Sequence, residues 1–204
     1  VLGDMTNQNV LCYIDDIVLF DNDPEVLLGR LEEVLSRVEK AGLYLKMPKC
    51  EWFKREIRLL GHVVCREGIL PNPEKVTAVC NAAPPKDKSE LRSFLGLASY
   101  LRRFVPHFSA TVAPMVDLMS PKVPFLWTED VQHSFEKVKE LISEYVLLAA
   151  PRGDGGFVLF TDASNRGIGA VLMQHQDDDL AILEFASHKL SPVERRWDTR
   201  EREA

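Results

Sequence analysis

Residues 10–20 read Val10-Leu11-Cys12-Tyr13-Ile14-Asp15-Asp16-Ile17-Val18-Leu19-Phe20, two apolar runs parted by a pair of aspartates. β-branched and aromatic residues on both sides favour strands, so the stretch reads as a hairpin with its two acids at the tip. A carboxylate at the edge of an apolar strand costs burial energy unless something neutralises it, and a divalent cation is the commonest compensation. Mg²⁺ prefers carboxylate oxygen with water and substrate phosphate, which suits such a site to phosphoryl transfer. Neighbouring strand residues point to opposite faces, so Asp15 and Asp16 share a cation only at a turn. A solvated hairpin tip explains the same two residues.

Downstream, Asp23 suits an N-cap and Pro24 a first helical turn. Val26, Leu27, Leu31, Val34, Leu35 and Val38 then repeat at helical spacing until Gly42. Ile57–Leu60 and His62–Val64 read as short strands, with Gly61 and Gly68 at turns. Beyond Pro71 and Pro73 the pattern turns helical, first over Glu74–Asn81 and then, after Pro84-Pro85, behind a capping-box pair, Asp87 and Glu90. That second helix carries Leu91, Phe94, Leu95, Ala98, Leu101 and Phe104 on one face. Arg92, Arg102 and Arg103 lie opposite, as an ordinary charged exterior or as a phosphate-facing one. Pro106, Pro114, Pro121 and Pro124 punctuate a connecting segment, and a further helix spans about 128–145. Phe157–Thr161 reads as a strand ending in Asp162, and Gly167–Gln174 and Ala181–Ala186 complete an antiparallel meander.

The chain has 204 residues, 46% of them hydrophobic and 27% charged, a globular composition. No apolar run reaches the roughly 18 residues of a membrane span, and no signal-peptide pattern opens it. Cys12, Cys50, Cys65 and Cys80 fit neither a disulfide framework nor a zinc spacing, so we expect buried, reduced thiols. The net charge of −6 argues against a nucleic-acid partner, but its distribution does not. Between Gly42 and Ala110 there are 12 Lys and Arg against 6 acids, which leaves the remainder at −12. A basic middle between acidic ends can hold a polyanion locally; an ordinary solvated face accounts for it equally well. Because Val1 opens the chain and Thr199–Ala204 look like the first turn of a helix, we read it as a piece of something longer.

Tyr13-Ile14-Asp15-Asp16 resembles the YxDD signature of reverse transcriptases. The resemblance continues through Lys49-Cys50-Glu51-Trp52-Phe53, Leu60-Gly61-His62-Val63-Val64, Glu67-Gly68-Ile69 and Leu91–Leu97. It runs on through Tyr100-Leu101-Arg102-Arg103-Phe104, Phe125-Leu126-Trp127 and Thr161-Asp162-Ala163-Ser164. Taken in order, these motifs are similar to the gypsy-type polymerase of LTR retrotransposons, from the reverse transcriptase into its RNase H-like domain. The resemblance implies RNA-templated DNA synthesis coupled to degradation of the RNA strand, by two-metal phosphoryl transfer with Mg²⁺ or Mn²⁺. Asp15 would be the principal metal ligand of the polymerase centre and Asp16 its neighbour, and Tyr13 would line its floor. Asp162 and Glu203 would be catalytic metal ligands of the nuclease centre, with Glu201 the second choice for the glutamate. Read without the family, Asp162 is a strand-end acid and Glu203 helix surface charge.

His62 falls where the family grips the primer backbone, although a core or surface histidine is the plain alternative. Lys88, Arg92, Arg102 and Arg103 would form the duplex contact surface. The implied partners are an RNA template, a DNA primer, the RNA/DNA hybrid, dNTPs and the remaining Pol domains, with no membrane, in an intracellular setting such as a cytoplasmic retroelement particle or the nucleus. The expected architecture is α+β in several subdomains. These are a partial palm of sheet plus helix (residues 1–70), a helical thumb (71–120), a connection (121–152) and an incomplete RNase H-like mixed sheet (153–204), bare of covering helices and therefore marginally stable. The family supplies a further palm aspartate before the hairpin and two more nuclease aspartates, so this chain alone is expected to be inactive. The alternative reading is a decayed or co-opted, non-catalytic nucleic-acid-binding or interaction module.

Overall fold

In the computed structural model the hairpin forms as the sequence dictates, with β1 (Val10–Tyr13) antiparallel to β2 (Asp16–Leu19) and Tyr13 facing Asp16. The structure describes residues 1–5, 9–165, 167–191 and 193–197. The chain divides into two compact units, Val1–Phe53 and Lys54–Ala204. This break falls before residue 70, the expected end of the palm piece.

In the first unit, α1 (Pro24–Lys40) starts at Asp23, whose carboxylate accepts from the backbone N–H groups of Glu25 and Val26. It stops at Ala41, and Gly42 follows at φ 70, a value glycine adopts without strain. Val34 and Val38 pack with Leu2, Met5 and Val10, and with Ile17 and Leu19 of β2. The buried stripe is narrower than the spacing implies, because Val26 and Leu35 lie exposed.

The second unit opens with the antiparallel sheet β3 (Glu56–Leu59), β4 (His62–Cys65) and β5 (Ile69–Pro71). The β3–β4 turn has Leu60 at φ 49 and Gly61 at φ 78. Positive φ at both positions matches the twist of a two-residue hairpin. This sheet groups with the helices that follow: Arg58 pairs with Glu74, Tyr100 reaches Leu60, and Ile69 exchanges backbone hydrogen bonds with Leu148.

Four helices build the main core: α2 (Pro73–Cys80), α3 (Lys88–Tyr100), α4 (Phe108–Leu118) and α5 (Glu129–Ser143). Asp87 caps α3 as expected, but the Glu90 carboxylate accepts from the Lys86 N–H, one residue earlier than a capping box requires. α3 ends at Tyr100, and Phe104 lies on a separate 3₁₀ turn over Arg102–Phe104. Val79, Leu91, Phe94, Leu101, Met115, Phe135, Val138 and Ile142 share one buried cluster, so no packing break separates the expected thumb from the expected connection.

α4 runs where the prolines predict a punctuated connector. Pro114 sits inside it and forfeits one backbone hydrogen bond, a cost of about 3 kcal/mol. Burial of Phe108, Val112, Met115 and Leu118 offsets that cost, at roughly 1.5–3 kcal/mol for each fully buried side chain.

β6 (Phe157–Ala163), β7 (Gly167–Gln176) and β8 (Asp179–Lys189) form the expected meander, antiparallel throughout, with a register shift at Leu172/Met173. Buried Gln174 on β7 fixes the preceding loop: its side-chain oxygen accepts from Arg152 N–H, and its amide donates to the Arg152 and Asp154 carbonyls, each at 2.9 Å. The sheet is not bare. α4 packs on β7 and β8. Ser109 N–H donates to Ser187 Oγ and Ser109 Oγ donates to the Ser187 carbonyl, each at 3.0 Å, and Lys189 pairs with Asp117 at 2.6 Å.

Candidate active sites and nucleic-acid interface

The hairpin tip is a two-residue turn made by Ile14 and Asp15. Ile14 has φ 57 and is 90% exposed. A β-branched residue in the left-handed region is strained, and such strain persists only where the surroundings over-determine it. Here the Tyr13–Asp16 pairing on one side and the apolar strands on the other impose the tight turn. Asp15 sits in the turn and Asp16 opens β2, both exposed, beside a half-exposed Tyr13. Two hard oxygen donors project from one tip, a donor type that suits a divalent cation. Among the described residues no group of three or more His, Cys, Asp or Glu that could hold a metal occurs. The two carboxylates therefore fit a cation chemically but make only part of a ligand set.

Asp162 lies within β6, not at its end, facing Gly169 of β7. It lines a shallow hollow of about 160 Å³ with His107, Phe160, Gly169 and Phe185 among its walls. Gly169 makes room for the ring of His107: a Cβ there would lie 3.0 Å from its Nδ1. His107 itself stands at φ 51, immediately before α4. Nothing in the sequence pointed to it, since the side chain reaches the hollow only because α4 packs on the sheet. Glu201 and Glu203 lie outside the described residues.

The expected basic surface divides in two. Lys88 donates to the carbonyls of Ser120 and Val123 at 2.6 Å each, so it ties down the α4–α5 connection. Arg103 approaches Glu184 of β8 at 3.6 Å and lies against the Phe104 ring. Arg92 and Arg102 remain exposed.

His62 is half-buried and faces inward, stacked on Tyr100 (centroids 5.2 Å apart, planes at 21°) and tilted against Phe104. Its Nε2 is buried without a hydrogen-bond partner. Burial, and then the charge of Arg103, hold its pKa below the ordinary imidazole value, so the ring is neutral at pH 7. Burial likewise raises the Tyr100 phenol, which stays protonated and donates to the Leu60 carbonyl at 2.8 Å. Tyr100 stood in the Tyr-Leu-Arg-Arg-Phe stretch, yet only the fold shows that its hydroxyl meets the β3–β4 turn.

The family model described as reverse transcriptase (RNA-dependent DNA polymerase) matches residues 1–64. The model of the RNase H-like domain found in reverse transcriptase matches residues 127–204. The chain is 35% identical over 205 residues to the retrovirus-related Pol polyprotein from transposon 297 of Drosophila melanogaster, covering 100% of this chain and 19% of that protein. It is 29% identical over 204 residues to the transposon Tf2-3 polyprotein of Schizosaccharomyces pombe, covering 100% of this chain and 15% of that one. The chain thus spans less than a fifth of the curated relatives it matches.

In fold it is similar to two solved foamy viral protease-reverse transcriptases. One, in complex with an RNA/DNA hybrid, has a TM-score of 0.85 at 22% identity, over 99% of this chain and 27% of that chain. The other, in complex with double-stranded DNA, has a TM-score of 0.87 at 22% identity, over 99% of this chain and 36% of that chain. Reverse transcriptases and RNase H-like enzymes generally use divalent metal ions, the chemistry that the exposed aspartates of the hairpin match. The order of motifs, the two family matches and the alignment of this whole chain to transposon polyproteins agree: the chain carries reverse-transcriptase sequence at its start and RNase H-like sequence at its end, and is similar throughout to transposon Pol polyproteins.

Proposed function

We propose that this chain forms part of an RNA-directed DNA polymerase with a linked ribonuclease H, holding portions of two separate reaction centres. Asp15 and Asp16 belong to the polymerase centre, with Tyr13 beside the primer terminus. Asp162 belongs to the nuclease centre, together with Glu203. The observation that carries this reading is the strained hairpin tip, which presents two adjacent aspartates to solvent. A purely structural turn gains nothing from placing isoleucine at positive φ before them.

Mg²⁺, with Mn²⁺ as an alternative, would be held by Asp15 and Asp16 in one centre and by Asp162 and Glu203 in the other. When bound, such cations neutralise charge on the attacking and leaving oxygens. The chain's own residues supply placement. The β1–β2 pairing fixes the carboxylates at the tip, the β3–β4 turn lies along the primer backbone, and exposed Arg92 and Arg102 take duplex phosphates. The foamy viral enzymes of similar fold were captured with an RNA/DNA hybrid and with double-stranded DNA, which supports a duplex partner. dNTPs, the RNA template and the other Pol domains complete the set.

Recognition rests on phosphate and shape, since a copying enzyme reads every sequence. The purified chain, given primer-template and Mg²⁺, should bind duplex with an affinity that falls steeply with salt, by a log–log slope of about 0.9 per phosphate contacted. It should not extend the primer, because its carboxylates make only partial ligand sets. Salt-independent binding, or extension by the chain alone, contradicts this account.

A further inference from the structure

We propose that Tyr100 is a positioning residue for polymerisation: it clamps the Leu60–Gly61 turn to the end of α3, so that the turn and the helix hold the primer strand as one body. The inference rests on the reading above, in which the β3–β4 turn lies along the primer backbone.

Three independent features converge on this tyrosine. Its hydroxyl donates to the Leu60 carbonyl at 2.8 Å, across 40 residues of sequence. A Cβ on Gly61 would lie 2.0 Å from that hydroxyl, so the phenol occupies the space where any other residue would carry its side chain. The first residue of β4, His62, stacks on the same ring, and the Lys75 ammonium lies 4.7 Å from its centroid. The turn is thereby engaged through its carbonyl, its missing side chain and its flanking residue at once. Hairpin tips held only by their own strands fray readily, whereas this one is anchored to a helix in the main core. Placement of a primer terminus to within an ångström governs phosphoryl transfer, since a misplacement of about 1 Å can cost around 10²-fold.

The test compares wild type with Tyr100→Phe in the polyprotein that contains this chain. The phenylalanine keeps the ring stack and the Lys75 contact and loses only the hydroxyl. Single-turnover addition to a matched primer should slow by tenfold or more, while primer-template affinity and RNA-strand cleavage stay within about twofold of wild type, and amide exchange at Gly61 and His62 should quicken with α3 unchanged. Extension at the wild-type rate overturns the proposal. So does a variant whose exchange quickens throughout α3 with cleavage lost in parallel, since that marks a residue needed for folding alone. Failure of the wild-type polyprotein to extend a primer sinks the underlying reading instead, and is told apart by that control.

Discussion

Ile14 is the one β-branched residue at positive φ among the described residues. Placing a β-branched side chain at φ 57 costs about 1–2 kcal/mol, and asparagine, which visits that region readily, avoids most of it. Ile14→Asn should therefore raise unfolding stability in urea by about 1 kcal/mol, while Ile14→Val leaves it unchanged. His62 sets a pH dependence of the same sign as that of the carboxylates, in a higher window. Its folded pKa lies below the unfolded 6.5, so its contribution is complete above pH 6.5 and declines as pH falls towards the folded value. His62→Phe keeps the stack and should flatten that limb of a denaturant-midpoint profile. Asp21 acts in another window. Its carboxylate accepts from the Asp23 N–H, Asn9 and Arg30, which lower it from 3.8 to about 2, so its contribution is lost only as pH drops from about 3.8 to 2. Asp15, Asp16 and Asp162 could be picked out from type and neighbourhood alone. His62 and Tyr100 could not be understood that way, because their environment comes from residues 40 positions apart.

Elements were legible where local signals and burial agree. Asp23-Pro24 and Gly42 bound α1, Pro73 opens α2, and three successive strand-type runs mark the meander. α4 was hidden because Pro114 is a local stop signal, and only tertiary burial of Phe108, Val112 and Met115 overrides it. The capping-box pair before α3 was right about the cap and wrong about the partner, since Glu90 turns to the Lys86 N–H. Gln174 looked like one more strand residue, yet it staples the 152–155 loop. Gln174→Leu leaves the Arg152 N–H and two carbonyls without their partner and should cost about 1–3 kcal/mol, read as a lowered urea midpoint. Gly61→Ala should be as damaging, because it meets both an unfavourable φ and the Tyr100 hydroxyl. Combining it with Tyr100→Phe should cost less than the two changes summed.

At the scale of the molecule, the first unit keeps its own small core around Val34 and Val38, and the second is built on a core that runs from Val79 to Ile142, with α4 packed on the meander. Phe135 is fully buried there against Phe94 and Trp127, and Phe135→Ala should cost about 3–5 kcal/mol by chemical unfolding. Thumb and connection, which motif order sets apart, share the second unit's core, because sequence marks family segments whereas packing follows shared apolar faces. The two acidic centres lie in different units, the hairpin in the first and Asp162 in the second, so their chemistries should separate by mutation. The direct measurement is primer extension and hybrid-strand cleavage, side by side, by the polyprotein carrying Asp15→Asn or Asp162→Asn. Asp15→Asn should lose DNA synthesis by at least 10³-fold and keep RNA cleavage, and Asp162→Asn should do the reverse. DNA synthesis that survives Asp15→Asn, or cleavage that survives Asp162→Asn, would contradict the account.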